Sequence, residues 1–263
     1  MKKISINFSG ALRTFVYCAE SIKKNIIDIL KEEYEVYIFG HFWILNENNL
    51  EYKMKWKKDC TDSIESIKKF KFNQYCIEEY SSEWEKNIIK ECDGEEILKE
   101  YSKIPDQDER VNFKNYAVNC MGMYFKIKKC QELMEKYEND NNIKFDYVIR
   151  MRPDFYWNHI IPLELINKLN NNNILLVKDS YCIRAKWNGN DKFFMCNSNV
   201  MKKYSRIYDK IKYFYDKKIR VEGQNMAKHM IEDLGLEILF YGNEGTYDKA
   251  TGKYVKNILK NHV

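Results

Sequence analysis

Two hydrophobic rhythms alternate along this chain, and the switches between them mark its elements. Residues 4–8 read as a short strand that ends at Ser9-Gly10. Phe15, Ala19, Ile22, Ile26 and Ile29 then recur every three or four positions, the spacing of one helix face. Residues 36–42 are nearly all apolar or aromatic, which suits a strand buried on both faces of a parallel sheet. A third strand is expected near residues 70–75 and a helix over residues 83–101; the rest of 46–108 is rich in Lys and Glu and shows no clear period. The longest helical period runs through Phe113, Ala117, Cys120, Tyr124, Ile127, Cys130, Met134 and Tyr137, and the polar stretch 139–142 ends it. Residues 145–151 form a strand that stops at Arg152-Pro153-Asp154. Pro162 opens a short helix, and 170–173 is a polar loop. Strands follow at 174–177 and 193–195. Val200, Tyr204, Ile207, Ile211 and Phe214 mark a helix. Met226, Met230, Ile231 and Leu234 mark another that ends at Gly235, before a last strand at 236–241.

Strands separated by helices predict an α/β layer fold with a mostly parallel central sheet flanked by helices. Three prolines, ten glycines and no linker-like stretch favour a single domain over residues 1–263. The 44% hydrophobic content is enough for a sizeable core at this length.

Charge removes several function classes. The 44 basic and 39 acidic side chains nearly cancel, leaving +5, so a dedicated polybasic nucleic-acid binder is excluded. The lysine-rich stretches 53–58 and 68–71 are closely followed by acidic residues and read as a solvated face. No apolar run approaches the ~18 residues that a transmembrane helix needs. The first residues, Met1-Lys2-Lys3-Ile4, resemble a signal sequence only superficially, because Ser5, Asn7 and Ser9 break the apolar stretch. No two of the eight cysteines lie within three residues of each other, so there is no zinc knuckle and no CxxC pair. The expectation is a cytoplasmic protein with reduced thiols.

In an open α/β sheet, ligands bind beyond the carboxyl ends of the strands. Two such ends carry chemistry. At Ser9-Gly10-Ala11-Leu12-Arg13-Thr14, Gly10 permits close backbone approach, the next helix offers its N-terminal amides, and Arg13 adds a positive fork. Together they make a cradle for a diphosphate; the alternative is an ordinary strand–turn–helix with a surface arginine. At Arg150-Met151-Arg152-Pro153-Asp154, two like charges share one side of a regular strand and a carboxylate follows. Asp154 there suits a divalent metal or a sugar hydroxyl, and the alternative is an internal Arg–Asp ion pair. Asp191 precedes the 193–195 strand. Glu222 opens the Met226 helix, as a functional carboxylate or as a cap. There is no GxGxxG, GxxxxGK[ST], GxSxG or HExxH. His41, His159, His229 and His262 show no metal-ligand spacing. Trp157 and Trp187 lie near the charged clusters and are the better candidates among the tryptophans for stacking on a sugar ring.

The pairing of Ser9-Gly10-Ala11-Leu12-Arg13-Thr14-Phe15 with Phe145-Asp146-Tyr147-Val148-Ile149-Arg150-Met151-Arg152-Pro153-Asp154 resembles GT-A-fold glycosyltransferases of bacterial polysaccharide loci and large DNA viruses. The long helix before that strand, the Asn190-Asp191-Lys192-Phe193 strand and the Glu222-Gly223-Gln224 helix start follow in a similar order, so the likeness spans about residues 4–239. It implies a GT-A-like domain with a nucleotide-binding half over about 1–154, an acceptor-side half over about 155–241 and a polar tail at 242–263. It also implies a nucleotide-diphosphate-sugar donor and a glycan or other hydroxyl acceptor. Ser9, Gly10, Arg13, Arg150 and Arg152 would then bind the donor. Asp154 would take the last carboxylate position of a DxD motif that carries Mn²⁺ or Mg²⁺. Asp191 would face the donor sugar or acceptor, and Glu222 would be the acceptor base. Position 152 is Arg where that motif has Asp, which leaves Arg152 to neutralise phosphate in part of the metal's place. The other reading is a binding module of the same fold without catalysis.

Overall fold

The computed structural model describes residues 1–45, 63–68, 70–104, 113–157, 160–178, 189–243, 245–248 and 253–256. Its centre is β1 (Lys3–Ala11), flanked in parallel by β2 (Glu35–Leu45) and by β4 (Tyr147–Met151). The seven strands lie in the order β3-β2-β1-β4-β6-β5-β7, with β3 spanning Gln74–Tyr80, β5 Asn173–Lys178, β6 Gly189–Asn197 and β7 Glu237–Asn243. The sheet is mixed: β6 runs antiparallel to both β4 and β5, while its other neighbouring pairs are parallel.

Helices cover both faces. On one, α1 (Phe15–Ile22) continues through a π turn (Lys23–Ile27) and packs with Ile4, Ile6 and Phe8. On the other, α4 (Phe113–Asn141) crosses β1 and β2 beside α2 (Ser82–Glu91) and α3 (Glu95–Tyr101). After a short α5 (Leu163–Ile166), α6 (Ser198–Tyr204), α7 (Ile211–Asp216) and α8 (Gly223–Asp233) complete that second layer.

The serines and asparagine that break the apolar run of β1 form one buried polar face beneath α4. Ser5 Oγ donates to Asn7 Oδ1 at 2.5 Å, Asn7 Nδ2 donates to Gln131 Oε1 at 3.3 Å, and Ser9 Oγ accepts from Arg150. Each polar group is satisfied, so burial is tolerated.

Several expected boundaries move. β1 does not end at Ser9-Gly10, because Ser9, Gly10 and Ala11 still pair with His41, Phe42 and Trp43. β3 starts at Gln74, not at 70: Phe70 and Phe72 turn into the core against Phe8, and Lys71 has a φ of 54°. The helix expected over 83–101 breaks at Asp93 (φ 53°) and Gly94. The one expected over 200–214 contains a 3₁₀ stretch (Ser205–Lys210), whose three-residue turn satisfies the same apolar spacing. Past β7, the expected polar tail includes a hairpin of β8 (Gly245–Asp248) and β9 (Lys253–Lys256).

Strand order places the site. From β1 the chain steps outward to β2 and β3, then returns through α4 to β4 on β1's other side. The carboxyl ends of β1 and β4 therefore diverge into a crevice at a topological switch point.

Candidate functional site

Arg150 anchors this crevice. It is the penultimate residue of β4 and is 1% exposed. Its Nε donates to Ser9 Oγ at 2.9 Å, one terminal nitrogen donates to the Ser9 carbonyl at 3.5 Å, and the other donates to the backbone carbonyl of Asp191. Burial is the main cause that brings its pKa down to about 10, with Asp191 opposing the shift, so it stays cationic at neutral pH. One guanidinium thus ties β1, β4 and β6 together.

Arg152 and Arg13 converge on Asp154. Arg152 forms a two-pronged bond to it, at 2.8 and 2.6 Å, and Arg13 reaches Asp154 Oδ2 at 3.3 Å. Burial alone would raise the Asp154 pKa, but the two guanidiniums outweigh burial and hold the carboxyl well below the usual carboxylate range. Arg13 follows β1 in the left-handed region, with a φ of 36°.

A cavity of about 240 Å³ opens over this cluster. Ser9, Gly10, Arg13, Arg150 and Arg152 form its basic side, and Asp191 supplies a carboxylate. Trp43 and Tyr116 form an aromatic wall, with Asn119, Cys120 and Met123 beside them on α4. Trp43 is braced by Tyr80 at 5.2 Å and Trp84 at 6.4 Å between ring centroids. Gly10 has a φ of 126°, which other residues rarely adopt, and open space lies where its Cβ would be.

The carboxylate of Asp191 rests against the Cα of Gly223 at the start of α8, where a Cβ would overlap its Oδ2. Gly223 itself is fixed from α4, because Tyr124 donates to its carbonyl at 2.5 Å. Burial, with Asp191 and Glu222 close by, drives the Cys120 thiol well up, so it is a neutral thiol in the cavity wall.

Six of the eight residues singled out from the sequence line one cavity: Ser9, Gly10, Arg13, Arg150, Arg152 and Asp191. Asp154 lies behind them, in the internal ion pair weighed above as the alternative. Glu222 sits next to the cavity and occupies the N-cap position of α8, but its side chain does not cap; it accepts from Arg220 and Asn225, both at 3.1 Å. The N-terminal amides of α1 are not free for a phosphate, since Phe15 N donates to Leu12 O, Val16 N to Ser63 Oγ and Tyr17 N to Thr14 O. Trp157 is core, 4% exposed and packed edge-to-face with Phe155 and Phe193. Trp187, His159 and His262 lie outside the described residues.

Sequence reasoning counts Trp43 among the tryptophans that could stack on a sugar ring but ranks it below Trp157 and Trp187, and it misses Tyr116, Asn119, Cys120 and Met123. Trp43 was the one to rank higher, as it immediately follows the apolar run 36–42 and lies near the carboxyl end of β2. The four α4 residues follow a helical spacing, and only the packing of α4 across the crevice turns that stripe into a wall.

No protein-family model matches the chain, and no curated protein matches it.

Proposed function

We propose that this chain is a glycosyltransferase that moves a sugar from a nucleotide-diphosphate-sugar donor to a glycan or other hydroxyl acceptor. The observation that carries this reading is the convergence of three arginines, Arg13, Arg150 and Arg152, on one side of a switch-point cavity that also contains the Asp191 carboxylate. When the anomeric C–O bond breaks, negative charge builds on the departing diphosphate. Fixed guanidiniums aimed at that charge stabilise it without reorganising. Arg150 and the pair Arg13–Arg152 are held in advance by Ser9 and Asp154. The acceptor hydroxyl loses its proton as it attacks, and in this reading Asp191, which lines the cavity, accepts it. Glu222, held by Arg220 and Asn225, then fixes the start of α8 behind Asp191. Trp43 and Tyr116 offer flat surfaces for a base or sugar ring.

A divalent cation at Asp154 does not fit this arrangement. Arg152 bonds both of its oxygens and Arg13 one of them, so an incoming Mn²⁺ or Mg²⁺ would meet two guanidiniums. The phosphate charge is assigned to the arginines, and no step runs through a metal. Among the described residues no helix is long and apolar enough to cross a membrane, and a cytoplasmic site of action belongs to the same reading.

The locked Asp154 also favours a second reading, a nucleotide-sugar-binding module without turnover. One experiment separates the two. Thermal shift with a panel of nucleoside diphosphates and nucleotide sugars is followed by an assay for nucleotide diphosphate released with acceptor present. Ligand linkage raises the melting temperature for any donor that binds the native state. Stabilisation with release supports transfer, stabilisation without release supports the module, and no stabilisation by any member of the panel overturns both.

A further inference from the structure

A second constellation stands at the β3 edge of the sheet. β2 and β3 are parallel neighbours, and their register sets His41 beside Cys76. Glu78, two residues on, shares the face of Cys76. One ligand atom from each of the three lies within 4.8 Å of the other two. His41 is 6% exposed, and its Nδ1 is buried with no hydrogen-bond partner among the described residues, an arrangement that calls for an additional group. Glu78 is half used: its Oε2 accepts from Trp84 Nε1 at 3.0 Å and from the ammonium of Lys126, while among the described residues Oε1 carries no such bond.

We propose that His41, Cys76 and Glu78 form a zinc site. Imidazole, thiolate and carboxylate together are the nitrogen, sulfur and oxygen set that Zn²⁺ takes, whereas Mg²⁺ and Ca²⁺ take oxygen alone. Three protein ligands leave the fourth position of a tetrahedron to water. Cys76 and Glu78 are partly exposed on the edge strand, which gives the ion a way in. On binding, the Cys76 S–H bond breaks, its proton leaves to solvent and a Zn–S bond forms. Zn²⁺ with one thiolate and one carboxylate is neutral where the metal-free site, a carboxylate beside a neutral thiol, carries −1, so binding adds one positive charge beside the buried Lys126 ammonium and tightens as pH rises and the thiol proton leaves more readily. Lys126 also lies over the Trp84 ring at 5.1 Å, and Trp84 braces Trp43. A bound ion would therefore pin the edge strand and, through Trp84, stiffen the aromatic wall of the cavity.

The test is titration of the metal-stripped full chain with Zn²⁺ and with Co²⁺, read by thermal shift and by cobalt absorption, with no nucleotide present. Its failure would thus leave the donor-site reading untouched. One equivalent should bind, raise the melting temperature and, with Co²⁺, give a thiolate-to-metal charge-transfer band. Cys76→Ser should lose that band and weaken binding more than the roughly 10–100-fold that loss of an outer partner costs. His41→Gln should weaken binding comparably; should that buried substitution unfold the chain, the Ser variant at the partly exposed Cys76 still decides. Binding of less than one equivalent, or an unchanged band and affinity in Cys76→Ser, would overturn the site.

Discussion

Asp154 shows how one buried carboxylate can set the positions of two cavity-lining arginines. Its charge holds Arg13 and Arg152 in the cavity wall, so Asp154→Asn leaves two guanidiniums competing for a weaker partner. The expected cost is about 1–3 kcal/mol, toward the lower end because Arg13 and Arg152 are 32% and 26% exposed and water recovers part of the loss. The pH dependence follows from the depressed folded pKa. The unfolded carboxyl titrates near about 3.9. Above that value both states are ionised and the stabilisation is complete; it disappears as pH falls through the lower folded value. Urea midpoints of wild type and Asp154→Asn should therefore differ equally at about pH 7 and about pH 5 and converge only in strong acid, where the wild-type carboxyl also protonates. Coincident midpoints at neutral pH would show that the pair contributes nothing.

Among the elements, the start of α8 is the most exacting. Gly223 is needed because the Asp191 carboxylate occupies the space of its Cβ. The contacted atom ends a short side chain, so Gly223→Ala is expected to swing Asp191 aside more than to unfold the helix. Release of nucleotide should fall by roughly 10²–10³, the usual loss when a placed polar group leaves a site, while the melting temperature drops by only a few degrees, as a cost of about 1 kcal/mol implies. A variant with normal turnover would remove Asp191 from the chemistry. The same element marks the limit of what the sequence makes legible. Strand and helix identity could be read from β1 to β7 because buried strands and amphipathic helices leave different periods. The polar ends of β1 could be read as a site because Gly10 and Arg13 serve no apolar face. The edge strand β3 was misplaced because Phe70 and Phe72 carry a stronger apolar signal than Cys76 and Glu78, although they are core anchors outside any strand. The capture of the Val16 amide by Ser63 is a contact between segments 47 residues apart, and no local pattern encodes it.

At the scale of the whole molecule, charge is nearly balanced, with 44 basic against 39 acidic side chains. The anion binding proposed above therefore needs a local concentration of charge, and the switch-point cavity has one in Arg13, Arg150 and Arg152, which come together from two neighbouring strand ends. Two consequences can be measured by calorimetry with a nucleoside diphosphate. Binding should persist unchanged when EDTA replaces Mn²⁺ if, as proposed, guanidiniums and not a cation at Asp154 meet the phosphates. Arg152→Gln should weaken it by about 10–100-fold, the worth of one charged hydrogen bond at roughly 1.5–3 kcal/mol. Because the cavity's charges are partly shielded from solvent, affinity should fall only modestly between about 0.05 and 0.3 M salt, in contrast to the steep loss of a protein that tracks a nucleic-acid backbone. Binding that appears only with Mn²⁺ would return the phosphate charge to a metal and require Asp154 to release both arginines first.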